Sequence, residues 1–260
     1  MNAEVIHTLL RSRLYAVLAR GFSAPPREAK QWESQVAETG TLLAAFQELP
    51  GAVPVADALR VFQRATAAAT DQPAIEAVTA DYLELFVNLR SGAGIPPYET
   101  EYTGGSNDFF KNQQLADLMG FYNAFGVGPR GGDGFHERPD HIAVELEFFQ
   151  FLVWKESRAR EAGDTEHLAV CVEAEQAFLR EHLGCWLEVF ARAVEKTVGE
   201  GLYPALAKLL RAAVAWDANT LGVTLRPLSA LPPRPPEPEP MTCGATDFVP
   251  LESLSPGGEP

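Results

Sequence analysis

The sequence predicts an all-α fold: a single-domain helical bundle over residues 1–225, followed by a proline-rich, flexible C-terminal tail over 226–260. Three observations carry that prediction. Apolar residues recur at helical spacing along most of the chain, while the alternation of a half-buried strand is nearly absent. Glycine and proline cluster between those periodic stretches. After Arg226 the composition changes to Pro232-Pro233-Arg234-Pro235-Pro236-Glu237-Pro238-Glu239-Pro240, which cannot form a helix and is expected as extended polyproline II.

Taken in order, Val5, Leu9, Leu10, Leu14, Val17 and Leu18 form one face of a first helix that ends at Gly21. Pro25-Pro26 opens a short polar helix through Trp32 and Val36, and Thr41 to Leu49 and Val55 to Ala69 give two more, parted by Pro50-Gly51 and Pro54. Residues Pro73 to Leu89 make a stronger amphipathic helix with Ile75, Val78, Tyr82, Leu85, Phe86 and Leu89 on one side. A long loop, Arg90 to Asn107, carries two tyrosines and a proline pair, and loops of that length inside a domain are usually functional or disordered. Ser106 or Asn107 caps the next helix, which runs through Leu115, Leu118, Tyr122 and Phe125 to Gly126. Thr165 to Val198 is helical with an interruption near Gly184, and Leu202 to Leu221 closes the bundle. In the tail, Phe248, Val249, Leu251 and Leu254 leave two readings open, a disordered acidic end or a tethered docking motif.

Between these lies the helix beginning Glu137-Arg138-Pro139-Asp140-His141-Ile142. Pro139 suits the first helical position, which places Asp140 and His141 in the first turn. Ile142, Leu146, Phe149 and Val153 form an apolar stripe, widened by Val144, Phe148, Phe151 and Leu152 to nearly the whole circumference, as in a buried helix. Glu145 and Glu147 interrupt it, so His141 is expected beside Glu145 and Asp140 beside Glu147. Asp140 and His141 either complement the helix terminus and the core, or hold a partner beside free backbone N–H groups.

Composition limits the function classes. A net charge of -14 repels nucleic acid and anionic membranes and favours basic partners. No stretch is long and apolar enough to span a membrane, and the start lacks a signal h-region, so the chain is expected to be cytoplasmic. Cys171, Cys185 and Cys243 have neither CxxC spacing nor an even count; the first two read as buried thiols.

Gly126, Gly128 and Gly131 satisfy GxGxxG, but after a helix rather than a strand, which removes the dinucleotide-binding context. A carboxylate di-metal bundle needs more Glu-x-x-His motifs than the chain has, and only a single metal on His141, Asp140, Glu145 and His136 remains conceivable. GxSxG, P-loop and Cys-His arrangements are missing. An acidic helical bundle with aromatic loops suits a protein that binds a basic, apolar peptide.

Four blocks then carry a resemblance. Tyr82-Leu83-Glu84-Leu85-Phe86, Pro96-Pro97-Tyr98-Glu99-Thr100-Glu101-Tyr102, Phe121-Tyr122-Asn123-Ala124-Phe125-Gly126, and Glu137-Arg138-Pro139-Asp140-His141-Ile142 with Glu145-Leu146-Glu147-Phe148 resemble, in order, the TorD/DmsD/NarJ group of redox-enzyme maturation chaperones. The resemblance covers residues 5 to 222, and departs from the group at Glu101 and in the glycine-rich loop from Gly126 to Phe135.

It implies a TorD-like, non-enzymatic, cytoplasmic chaperone for a molybdoenzyme of the dimethyl sulfoxide reductase group. Such a chaperone binds the apo catalytic subunit or its twin-arginine leader, assists cofactor insertion and prevents premature export. The group's peptide-binding motif carries over to Pro139, Asp140 and His141, with Tyr82, Leu85, Phe86, Pro97, Tyr98 and Tyr102 as groove walls. Asp140, Glu145, Glu147 and Glu99 then meet the leader's guanidinium groups, and Asp140→Ala weakens leader binding without unfolding the chain. The group implies no bound cofactor, only transient contact with molybdopterin guanine dinucleotide or a guanine nucleotide, for which no motif locates a site. The loop over 90–107 leaves monomer and domain-swapped dimer both open. The competing readings are a small helical metalloenzyme using Asp140, His141 and Glu145, and an assembly subunit retained in a mature oxidoreductase.

Overall fold

The computed structural model describes residues 2–69, 71–89, 94–103, 107–128, 137–197 and 199–229. His136, Cys243 and the proline-rich and apolar positions expected in the tail lie outside them. Among the described residues the regular structure is helical: α1 Ala3–Phe22, α2 Ala29–Gln47, α3 Val53–Ala67, α4 Gln72–Tyr82, α5 Thr100–Thr103, α6 Asp108–Ala124, α7 Ile142–Ala162, α8 Thr165–Phe178, α9 Gly184–Thr197 and α10 Leu202–Leu221. None of these helices is long and apolar enough to cross a membrane.

The central helix is α7, packed most extensively along α1 and also against α8, while α10 packs on α3 and α9. Ile142, Leu146, Phe149, Leu152 and Val153 are fully buried, so the expected stripe is the core-facing side. Each such side chain contributes on the order of 1.5–3 kcal/mol through its burial. Gly21 sits inside α1 rather than ending it: a Cβ there would lie 2.7 Å from Leu206 Cδ1, and its absence lets α1 and α10 approach.

The interior also holds charge. Arg11 of α1 is sealed among three carboxylates, Asp217 at 2.5 Å, Glu156 at 2.6 Å and Glu175 at 2.6 Å. Arg160 pairs with Glu156 from the other side, at 2.6 Å. Burial, together with Glu156 and Asp217, holds the Glu175 carboxyl well above its ordinary range despite Arg11.

Several elements differ from the sequence expectation. The two short helices read over 25–36 and 41–49 are one, α2, because a lone glycine such as Gly40 weakens a helix by about 1 kcal/mol without breaking it. The helix expected to run to Leu89 changes at Leu83–Val87 into a π-turn, and a second π-turn, Leu179–Leu183, joins α8 to α9. That second turn needs Gly184, where a Cβ would lie 2.4 Å from Leu179 O and 2.6 Å from Leu225 Cδ2. Cys171 is buried as expected, but Cys185, in the first turn of α9, is half-buried. There Leu228 N–H donates to Cys185 O at 2.9 Å, so packed contacts continue beyond position 225.

The start of α7 also moves. The helix begins at Ile142 with His141 as its N-cap, not at Pro139. His141 is extended instead, because it bridges to Tyr98 in the segment before α5: Glu99 N–H donates to Asp140 O at 2.9 Å and Ile142 N–H to Pro97 O at 2.8 Å. This bridge fixes the candidate site.

Candidate functional site

Segment 94–99 is tied down at both ends. Ile95 N–H donates to Leu85 O at 2.6 Å, and the Tyr102 hydroxyl returns from α5 to Pro96 O at 2.8 Å. Pro97 is buried, and Tyr98 is left partly exposed beside the start of α7.

Asp140 is fully buried and both its oxygens are engaged. Oδ2 accepts from the Thr100 hydroxyl at 2.7 Å, Thr100 N–H at 3.3 Å and Arg138 Nη2 at 2.8 Å, while Oδ1 accepts from Arg138 Nε at 3.0 Å. The same Arg138 Nη2 donates to Thr100 Oγ1 at 3.0 Å, and the guanidinium lies 4.3 Å over the Tyr98 ring. The carboxylate therefore joins the segment before α5 to the start of α7.

His141, also buried, accepts Ala143 N–H on Nδ1 at 3.2 Å, which leaves its proton on Nε2. Burial pushes its pKa down to about 4, so it is a neutral cap whose ring packs edge-on to Tyr98. One turn on, Glu145 does not face it. Glu145 Oε2 accepts the Trp186 indole N–H at 3.2 Å, and Oε1 has no partner among the described residues. Burial, then the charge of Glu99, holds this carboxyl well above its ordinary range, which favours the neutral form. Glu99, equally buried, accepts from Gln114 Nε2 at 2.9 Å and from His182 Nδ1 at 3.1 Å.

The expected pairs, His141 with Glu145 and Asp140 with Glu147, are thus replaced by longer-range ones, because Asp140 precedes the helix and Trp186 takes Glu145. Glu147 is exposed. Among the described residues no group of three His, Cys, Asp or Glu side chains is placed to share a metal ion.

Of the expected groove walls, Tyr82, Leu85, Phe86 and Tyr102 face the core, where Phe86 meets Phe190 and Tyr203 and Tyr102 lies on Trp186. Solvent instead meets Leu83, 45% exposed, and Val87, 54% exposed, on the first π-turn. Tyr82, just before this turn, lies near Glu137 and Tyr98: burial and these two groups push its hydroxyl up to about 12. Glu84 on this turn and Glu137 near Tyr82 are exposed acids. A further exposed pair, Phe109 and Phe110, begins α6 beside the ion pair of Lys111 with Glu101, which accounts for an acid in the Pro-Pro-Tyr block. Thr100, Gln114, His182 and Trp186 were not singled out by sequence; only Arg138, two residues from Asp140, carried a readable signal, as a cation placed to reach it.

Comparison with known proteins gives consistent results. Residues 50–192, more than half of the chain, match the family model described as nitrate reductase delta subunit. The chaperone protein TorD of Vibrio cholerae serotype O1 is 29% identical over 148 residues, 55% of this chain and 62% of that protein. The selenate reductase assembly chaperone protein of Thauera selenatis is 33% identical over 144 residues, 53% of this chain and 68% of its own length. A crystal structure of a redox enzyme maturation protein from Archaeoglobus fulgidus aligns with TM-score 0.40 and 21% identity, over 81% of this chain and 93% of that one. The match thus spans about three fifths of the length of the Vibrio TorD. The chain belongs to the nitrate reductase delta subunit family, which is the TorD/NarJ group that its motif blocks resemble.

Proposed function

We propose that this chain is a client-specific, cytoplasmic chaperone without turnover of its own, which binds the apo catalytic subunit of a dimethyl sulfoxide reductase-type molybdoenzyme, in part through a basic, apolar leader. The observation that carries the reading is the sequence match to proteins named as a TorD chaperone and a selenate reductase assembly chaperone. The surface supports it. Leu83 and Val87 offer apolar area beside Glu84, Glu137 and the partly exposed Tyr98, which suits a segment with arginines next to an apolar run. Of the acids expected to meet those arginines, Glu147 is exposed, Glu145 and Glu99 are sealed and act on the client through the structure they hold, and Asp140 is sealed beneath Arg138. Residues 1–225 form the chaperone domain in this reading, and 226–260 a tail attached to it.

The test is a pull-down from the native host with the tagged full chain, comparing wild type with Leu83→Ser plus Val87→Ser. Wild type retains a cofactor-free molybdoenzyme catalytic subunit, identified by mass spectrometry, and the double variant, unchanged by circular dichroism, retains much less. Failure of wild type to retain such a subunit overturns the reading. Retention of active, cofactor-loaded enzyme replaces it with the assembly-subunit reading.

A further inference from the structure

We propose that Asp140, Thr100 and Tyr98 form an arginine-binding cradle that Arg138 fills from within, and that an arginine of the client binds by exchanging with it. The inference rests on the client-binding reading above, but its chemistry is visible without a client.

The cradle has what guanidinium recognition requires. Arg138 presents Nε to Asp140 Oδ1 at 3.0 Å and Nη2 to Oδ2 at 2.8 Å, the two-pronged pairing that a planar fork makes and an ammonium cannot. Thr100 Oγ1 accepts from the same Nη2 at 3.0 Å while donating its own proton to Asp140, so its role is directional. The Tyr98 ring lies under the group at 4.3 Å and adds a cation–π contact.

Host and occupant are held very differently. Asp140 and Thr100 are fully buried, locked by the backbone bridge to residues 97–99. The Arg138 side chain is 45% exposed, and its bonds to described residues all go to this cradle. A sealed carboxylate is costly to leave without a cation. Exchange of one guanidinium for another leaves Asp140 paired throughout, and the entry path is the exposed side through which Arg138 reaches in. Client affinity is then scaled down to the fraction of time that Arg138 leaves its own site open.

The experiment uses the full chain and small probes. Arg138→Ala lowers the melting temperature, and millimolar ethylguanidinium restores it, whereas ethylammonium does not and wild type responds to neither. A labelled apolar peptide with one arginine binds Arg138→Ala at least about threefold more tightly than wild type, because the competing side chain is gone. The same peptide with lysine shows no gain. Should Arg138→Ala fail to fold, Arg138→Gln is measured in its place. Absence of rescue by ethylguanidinium, or arginine-peptide binding that is unchanged or weaker in the folded variant, overturns the proposal and leaves Arg138 a structural latch. Since the rescue needs no client, it fails independently of the pull-down.

Discussion

Glu145→Gln should leave the fold intact and remove one proton's worth of pH dependence from its stability. Glu145 is fully buried; it accepts one hydrogen bond, from Trp186 at 3.2 Å, and its Oε1 accepts none among the described residues. The charged groups facing it are Glu99 from the segment before α5 and Asp140 before α7, with the Cys185 thiol on α9. Burial and Glu99 raise its folded pKa well above the ordinary 4.5, so between that value and the folded one the native state holds a proton that the unfolded chain has released. Its contribution is fully present below 4.5 and is lost as pH rises toward the folded value, by about 1.4 kcal/mol per pH unit. Glutamine keeps the neutral form at every pH. Glu175 has the same sign and His141, pushed down to about 4, the opposite one, but both are present in each protein and cancel in the difference. Urea unfolding at several pH values from mildly acid to mildly alkaline, followed by circular dichroism, should therefore show the variant gaining on wild type as pH rises. Parallel curves would refute the argument, because they would mean that Glu145 is ionised in the folded protein or titrates as it does unfolded.

Two further outcomes follow from the geometry. Gly184→Ala should cost more than about 2 kcal/mol in the same unfolding assay, since its Cβ would meet Leu179 O at 2.4 Å. Gly120→Ala, in α6 with nothing within 4 Å, should be neutral or stabilise by up to about 1 kcal/mol, and equal losses at the two sites would sink the steric account. Asp140→Ala should speed amide hydrogen exchange over residues 97–103 while leaving α1 and α10 protected, because Asp140 joins Thr100 to Arg138. Exchange unchanged in that segment would show that the backbone bridge alone suffices.

The helices were readable wherever apolar spacing dominates local structure. Leu202 to Leu221 matches α10 to the residue, and the interruption near Gly184 is the second π-turn. Legibility ended where a distant segment decides a local conformation. Proline at the first helical position is a local rule, yet His141 is held extended by its bridge to Tyr98, so the helix starts only at Ile142. The inward face of the Tyr82–Phe86 block was readable as apolar, but the π-turn that presents Leu83 and Val87 to solvent leaves no periodic trace. Asp140, His141 and Tyr98 were singled out together and do lie together, whereas Gln114 of α6, His182 of the second π-turn and Trp186 of α9 reach Glu99 and Glu145 only through tertiary packing.

The acids along α7 explain how so negative a chain keeps charge inside without requiring an external cation there. Around Arg11, the carboxyls of Glu156, Glu175 and Asp217 share Arg11 and Arg160, and burial raises that of Glu175. Near the other end of α7, Asp140 is balanced by Arg138, and burial raises the Glu145 carboxyl, which favours its neutral form. Of these balancing cations, Arg138 is the one stacked on a partly exposed tyrosine beside the acidic, apolar face. Arg11 is sealed, and replacing it from outside would require opening the bundle; replacing Arg138 requires only a side-chain swing. That difference makes a buried carboxylate usable for recognition at the head of α7, while the cluster at Arg11 fixes the fold.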